Sequence, residues 1–276
     1  MSARCRGADI SHWRRLWLYV FVLLVFVFLL TPVFIVVPMS FSGSNYLEFP
    51  PQTWSLRWYQ AYFGSREWIA ATKVSMIAAL STVCLATPAG FAAAYFLRHS
   101  QTRFARVVLP VLLLPQVMPV ILVAIGVFFL YIRLGLVDTL FGIVLAHTAL
   151  AIPFVVMPIL AGLRGFDERL EFAARNLGAT RLQAIRDVTL PAVRPSVISG
   201  ALFAFVTSLD EVVIGLFIAG GPNTVLTRRM FLSLRDQIDP TIAAISTVLI
   251  AVSIAAVVLF MLASKPTRKA RAAYDV

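Results

Sequence analysis

Six apolar runs divide this chain, at about 16–39, 68–97, 107–132, 140–163, 196–219 and 241–263. Each reaches the roughly 20 residues that cross a bilayer as a helix. Of the 276 residues, 60% are hydrophobic and 13% charged, with a mean hydropathy of +0.87. A soluble domain of this length carries about 25% charged residues, and its apolar residues are not gathered into such blocks. The class read from this pattern is all-α, a polytopic transmembrane bundle of six spans.

The first run follows Arg4, Arg6, Arg14 and Arg15 and ends in Val36-Val37-Pro38-Met39. It is longer than the roughly 7–15 residues of a signal-peptide core and lacks a small-residue cleavage site, so an uncleaved anchor is expected. Residues 40–67 are polar and aromatic, with Trp54, Trp58 and Tyr59, as befits a membrane interface. The division expected is an N-terminal tail, first span and external loop (1–67), a transmembrane domain of the other five spans with the loop 164–195 inside it (68–263), and a C-terminal tail (264–276). Alternate loops hold 17 of the 24 Lys and Arg residues, among them Arg98, Arg103 and Arg106, six arginines between Arg164 and Arg194, and Lys265 to Arg271. The positive-inside bias therefore predicts both termini in the cytoplasm.

Net charge is +11, but the basic residues sit beside apolar runs and no recognition motif accompanies them, which argues against nucleic-acid binding. Cys5 and Cys84 are too few for a disulfide framework and lack metal spacing; Cys84, in an apolar run, reads as a small buried hydrophobe. Pro110, Pro115, Pro119, Pro153 and Pro158 predict kinks in the third and fourth spans.

One polar element interrupts the apolar pattern. Within the loop 164–195, the stretch EFAARNLGATRLQAIRDVTLP spans residues 171–191. Leu170, Ala173, Ala174 and Leu177 share one helical face, with Glu171, Arg175 and Asn176 on the other side and Phe172 among them. Gly178 follows as a C-cap of positive φ. Thr180-Arg181-Leu182-Gln183 matches a capping box, opening a second helix expected to stop before Leu190-Pro191. A hairpin on the lipid headgroups and a docking surface for a cytoplasmic partner both fit; Phe172, an aromatic among polar groups, favours docking.

This stretch resembles the EAA loop of binding-protein-dependent ABC importer permeases, E-A-A, three residues, G, nine residues, I-x-L-P. Ala173, Ala174, Gly178, Val188, Leu190 and Pro191 fall on that pattern; Phe172 occupies the glutamate position and Glu171 precedes it. The segment 208–247 is similar to the second permease subunit of spermidine/putrescine importers. The resemblance implies a type I (MetI-like) permease in the bacterial inner membrane, with these residues coupling it to ATPase subunits. It further implies a homologous permease, two cytoplasmic ATPases and an extracytoplasmic solute-binding protein as partners. ATP and Mg would be used by the ATPases, with no cofactor on this chain.

The chain's own residues agree that no ATP site is present: Lys73, Lys265 and Lys269 are its only lysines and none follows a glycine, as a P-loop requires. His12, His99 and His147 have no metal-ligand spacing, and His147 is expected to be hydrogen-bonded inside the bundle. Asp210 and Glu211 lie roughly 21 Å into the fifth span at 1.5 Å per residue. Charge there requires a wet cavity or a partner. Two readings remain: an acid pair held by arginine or histidine, or an acidic lining for a cationic solute such as a polyamine. A proton-coupled secondary transporter using the two acids, a permease for another solute, and a membrane enzyme are the alternatives.

Overall fold

A computed structural model of the chain describes residues 16–100, 102–236 and 239–263. In chain order the helices are α1 (Leu16–Met39), α2 (Arg57–Gly64), α3 (Arg66–His99), α4 (Arg103–Val117), α5 (Val120–Leu134), α6 (Leu140–Gly165) and α7 (Arg169–Asn176). They continue with α8 (Arg181–Ala184), α9 (Leu190–Ala192), α10 (Arg194–Asp210), α11 (Val213–Ile218), α12 (Leu226–Asp236) and α13 (Thr241–Ala263). There are no strands among the described residues.

Four helices, α1, α3, α6 and α13, are long and apolar enough to cross a membrane singly. Their starts are fixed locally: Ser65, Thr102 and Thr139 accept from Trp68 N, Ala105 N and Gly142 N and so cap α3, α4 and α6. α6 is the hub, with 61% of its apolar window buried against 0% for α1, which stands at the periphery. α3 and α10 pack against α6 through small residues. A Cβ on Gly90 or Gly200 would meet the Val155 side chain within 3.2 Å, and one on Gly162 would run into Ser196. Lipid provides no hydrophobic drive for helix association, so such close backbone approach and the dispersion contacts it permits hold the three helices together. Cys84 is exposed on α3, not buried as expected, because α3 turns the Ala86–Gly90–Ala94 stripe inward.

Two of the six predicted spans are not continuous. The third is α4 and α5, bent by 101° at Met118-Pro119. Pro110 and Pro115 ride within α4, whereas Met118 is extended ahead of Pro119, the conformation proline imposes on its predecessor. The fifth ends as α10 at Asp210, and α11 resumes after Glu211-Val212. The acids thus sit at a helix break, not within a span.

The second hairpin helix departs from expectation as well. It passes through Leu190-Pro191 by widening into a π-helical turn at Ile185–Thr189, with Leu190 N donating to Ile185 O. A proline in a regular α-helix removes a donor and clashes with the carbonyl four residues earlier; a wider turn relieves the clash. The chain then bends by 80° at Val193 into α10.

Candidate functional site

The hairpin is built from local signals. α7 ends in a Schellman arrangement: Ala179 N donates to Ala174 O at 3.1 Å and Gly178 N to Arg175 O at 3.0 Å, with Gly178 at φ +94°. Thr180 and Gln183 form the capping box that starts α8, and Thr180 N donates to Gln183 Oε1 at 2.8 Å.

Its sidedness is the reverse of a helix packed by its apolar face. Leu170, Phe172 and Ala173 are exposed, and Leu177 and Leu182 are 90% and 76% exposed, so the hairpin turns several apolar side chains outward. Glu171 is buried instead, with 5% exposure. Its two oxygens accept from Tyr95 OH on α3 at 2.6 Å and from Thr189 Oγ1 in the π-turn at 2.7 Å. A buried carboxylate is tolerated when hydrogen-bonded in this way. Glu171 is therefore not the rim charge that its place in the motif suggests. Beside it, Arg98 of α3 meets Glu168 at 2.8 Å, and the Arg181 guanidinium lies over the Tyr95 ring at 5.4 Å. Val188 packs on the α3–α6–α10 core, Ala174 is half-buried, and Leu190 and Pro191 face outward.

The acids occupy a second site, at the break after α10. Glu211 Oε1 accepts from Ile214 N at 2.8 Å, and its main-chain carbonyl accepts from Thr227 Oγ1 of α12 at 2.7 Å. Glu211 thus holds the break open. Asp210 is exposed and lines a cleft of about 370 Å³ with Val212, Thr227, Met230, Phe231, Ile242 and Ser246. Among the described residues no ion pair involves Asp210. A carboxylate in a mixed apolar and hydroxyl cleft, beside an aromatic ring, suits a cation with a hydrocarbon body.

Sequence reasoning placed Asp210 and Glu211 together and missed their partners. Thr227, Phe231 and Ser246 at the cleft come from distant elements, as do Tyr95 and Arg98 of α3, which meet Glu171 and the α7 N-cap residue Glu168 at the hairpin, and none forms a motif with its partner. His147, expected to be hydrogen-bonded within the bundle, is: Nδ1 lies 2.8 Å from Ser208 Oγ, joining α6 to α10. No group of three metal-ligating side chains occurs among the described residues.

These features can be set beside known proteins. The chain is 31% identical over 246 residues to the spermidine/putrescine transport system permease protein PotC of Haemophilus influenzae, covering 89% of this chain and 95% of that protein. It is 32% identical to the putrescine transport system permease protein PotI of Escherichia coli K12, over 85% of each chain. A chain of a bacterial ABC transporter involved in the import of the acidic polysaccharide alginate superposes with a TM-score of 0.67 at 16% identity, covering 92% of this chain and 98% of that one. The same kind of transporter in complex with an alginate pentasaccharide-bound periplasmic protein gives a TM-score of 0.70, covering 91% and 95%. At that identity the likeness is one of fold. Residues 86–265, which hold the hairpin, the broken helix and the cleft, match the family model of the binding-protein-dependent transport system inner membrane component, and the chain belongs to that family.

Proposed function

We propose that this permease subunit forms half of the pathway of an ATP-driven importer for polyamines such as spermidine and putrescine. The observation that carries the substrate class is Asp210, exposed in a cleft without a cationic partner among the described residues. The names of the similar permeases support the same class. The exposed apolar side chains of Leu170, Phe172, Leu177 and Leu182 on this short hairpin support a protein docking surface, since large apolar groups left outside a folded element mark interaction sites. On this reading two soluble ATPases hydrolyse ATP with Mg, and this chain holds no cofactor. A homologous permease completes the cavity, and an extracytoplasmic binding protein delivers the solute. The hairpin and both termini face the cytoplasm.

Reconstitution of the subunit with its companion permease, ATPase and binding protein tests the reading. Spermidine uptake is expected only with ATP and the binding protein together. Uptake driven by a proton gradient without ATP would replace it with a secondary transporter, and an anionic or sugar ligand on the binding protein would overturn the polyamine assignment.

Orientation is checked separately. Reporters fused after residues 50, 102, 136, 180 and 230 and at the C-terminus are expected to report out, in, out, in, out and in. Residues 102 and 136 flank the α4–α5 bend; finding both on one side would make that pair a re-entrant loop. A cytoplasmic reporter at 50 or 230 would invert the model.

A further inference from the structure

α3 is 34 residues long, about 50 Å at 1.5 Å per residue, and it touches both sites. At one end Tyr95 donates to Glu171 at 2.6 Å, and one turn on Arg98 grips Glu168 at 2.8 Å. Glu171 in turn accepts from Thr189, so α3, α7 and the π-turn are joined through a single buried carboxylate. At the other end Ser75 Oγ accepts from Leu226 N, the first residue of α12, at 2.8 Å. Arg229 of α12 also pairs with Glu67 in the first turn of α3. α12 forms one wall of the Asp210 cleft through Thr227, Met230 and Phe231.

We propose that α3 is the rod that carries displacement of the hairpin to the α12 wall of the cleft, with Tyr95, Glu171 and Thr189 as the latch at its driven end. The inference rests on the importer reading above. The latch is stiff because of where its bonds lie. Both hydrogen bonds are charge-assisted and buried, so water cannot replace them when the hairpin shifts. A force on the exposed side of α7 therefore moves α3 rather than sliding past it. α3 runs as one helix through Pro88, where Gly90 and the small residues near it seat it on Val155 of α6, so packing makes up for the backbone hydrogen bond that the proline removes. Its far end must then pull on Leu226 and Arg229. Tyr95 and Thr189 are positioning residues on this account: they touch neither solute nor nucleotide.

The test uses the assembled transporter in vesicles, with Cys5 and Cys84 replaced by serine and a single reporter thiol introduced in the cleft by Ser246→Cys. Modification of that thiol by a water-soluble maleimide is followed with and without ATP, the ATP sample being trapped with vanadate. With Tyr95 and Thr189 intact, ATP is expected to change the labelling rate. Tyr95→Phe and Thr189→Val should each shrink that change about tenfold, the scale of one lost hydrogen bond to a charged group, with hydrolysis per assembled complex held within about twofold. Glu171→Gln keeps an acceptor for Tyr95 and should fall between. An undiminished ATP-induced change in both variants would overturn the proposal. So would a loss of labelling change, hydrolysis and complex in equal proportion, which is what a merely structural contact predicts. Spermidine uptake by the reporter parent without any ATP effect on the thiol would overturn the rod while sparing the importer. Neither uptake nor ATP effect in the parent would remove both.

Discussion

Gly178→Val is expected to reduce ATP-driven uptake by at least about tenfold while the subunit still inserts in the membrane. Gly178 has φ +94°, and a Cβ there would meet nothing within 4 Å, so the obstacle is the backbone conformation and not crowding. An L-residue in left-handed backbone costs about 1–2 kcal/mol, and a β-branched side chain adds to it. The chain can avoid that cost only by leaving the conformation, which breaks the Ala179–Ala174 and Gly178–Arg175 hydrogen bonds. The turn between α7 and α8 then opens. Leu170, Phe172 and Leu177 lie before the turn and Leu182 after it, so opening the turn changes the spacing between the exposed apolar side chains of the two helices. The spans do not depend on this turn, which is why insertion should survive. Gly178→Asn provides the control, because asparagine tolerates left-handed backbone better than other side chains, and it should retain more uptake than the valine variant. Measurement of uptake against the amount of inserted subunit decides the matter. Equal uptake by wild type and Gly178→Val would make the glycine incidental.

The hairpin shows where local chemistry suffices and where it does not. Gly178 and the Thr180–Gln183 capping box are signals complete within a few residues, and both appear in the structure as read. Glu171 could not be placed this way. Its burial depends on Tyr95, 76 residues earlier, and on Thr189, which only a widened helical turn brings round. Within α7 alone, a glutamate flanked by Leu170 and Phe172 reads as the solvent side, and the structure inverts it. The two helix breaks divide in the same manner. Pro119 was a visible cause of the α4–α5 bend, although nothing local separates it from Pro110 and Pro115, which stay inside α4. The break after Asp210 has neither glycine nor proline to announce it. It is held by Thr227 on the Glu211 carbonyl and by the Glu211 carboxylate on Ile214 N. The apolar runs located α1, which ends at Met39, and α13, which begins at Thr241, because a lipid-facing helix needs only length and hydrophobicity.

Asp210→Asn is expected to cut spermidine uptake with assembly of the transporter unchanged. A carboxylate and an ammonium about 4 Å apart attract by about 1 kcal/mol at the dielectric of water and about 4 at that near a protein surface. Removing one charge therefore predicts a loss between about fivefold and several hundredfold, the spread reflecting how much water shares the cleft. Asparagine keeps the shape and the hydrogen-bonding capacity, so the wall that Asp210 shares with Val206, Leu209 and Leu249 should be preserved. The opposing account, an acid pair locked to a buried arginine, would strand that arginine at a cost of about 3–5 kcal/mol and lower the amount of folded complex. No such ion pair reaches Asp210 among the described residues. Its neighbour supplies the contrast. Glu211→Ala removes the acceptor for Ile214 N, and should reduce folded complex and uptake together, since it dismantles the break itself. Uptake and complex are therefore measured for both variants. Asp210→Asn with normal complex and unchanged uptake would take Asp210 out of the pathway. Loss of complex in that variant would identify the carboxylate as structural, and the cleft would then need another source of affinity for a cation.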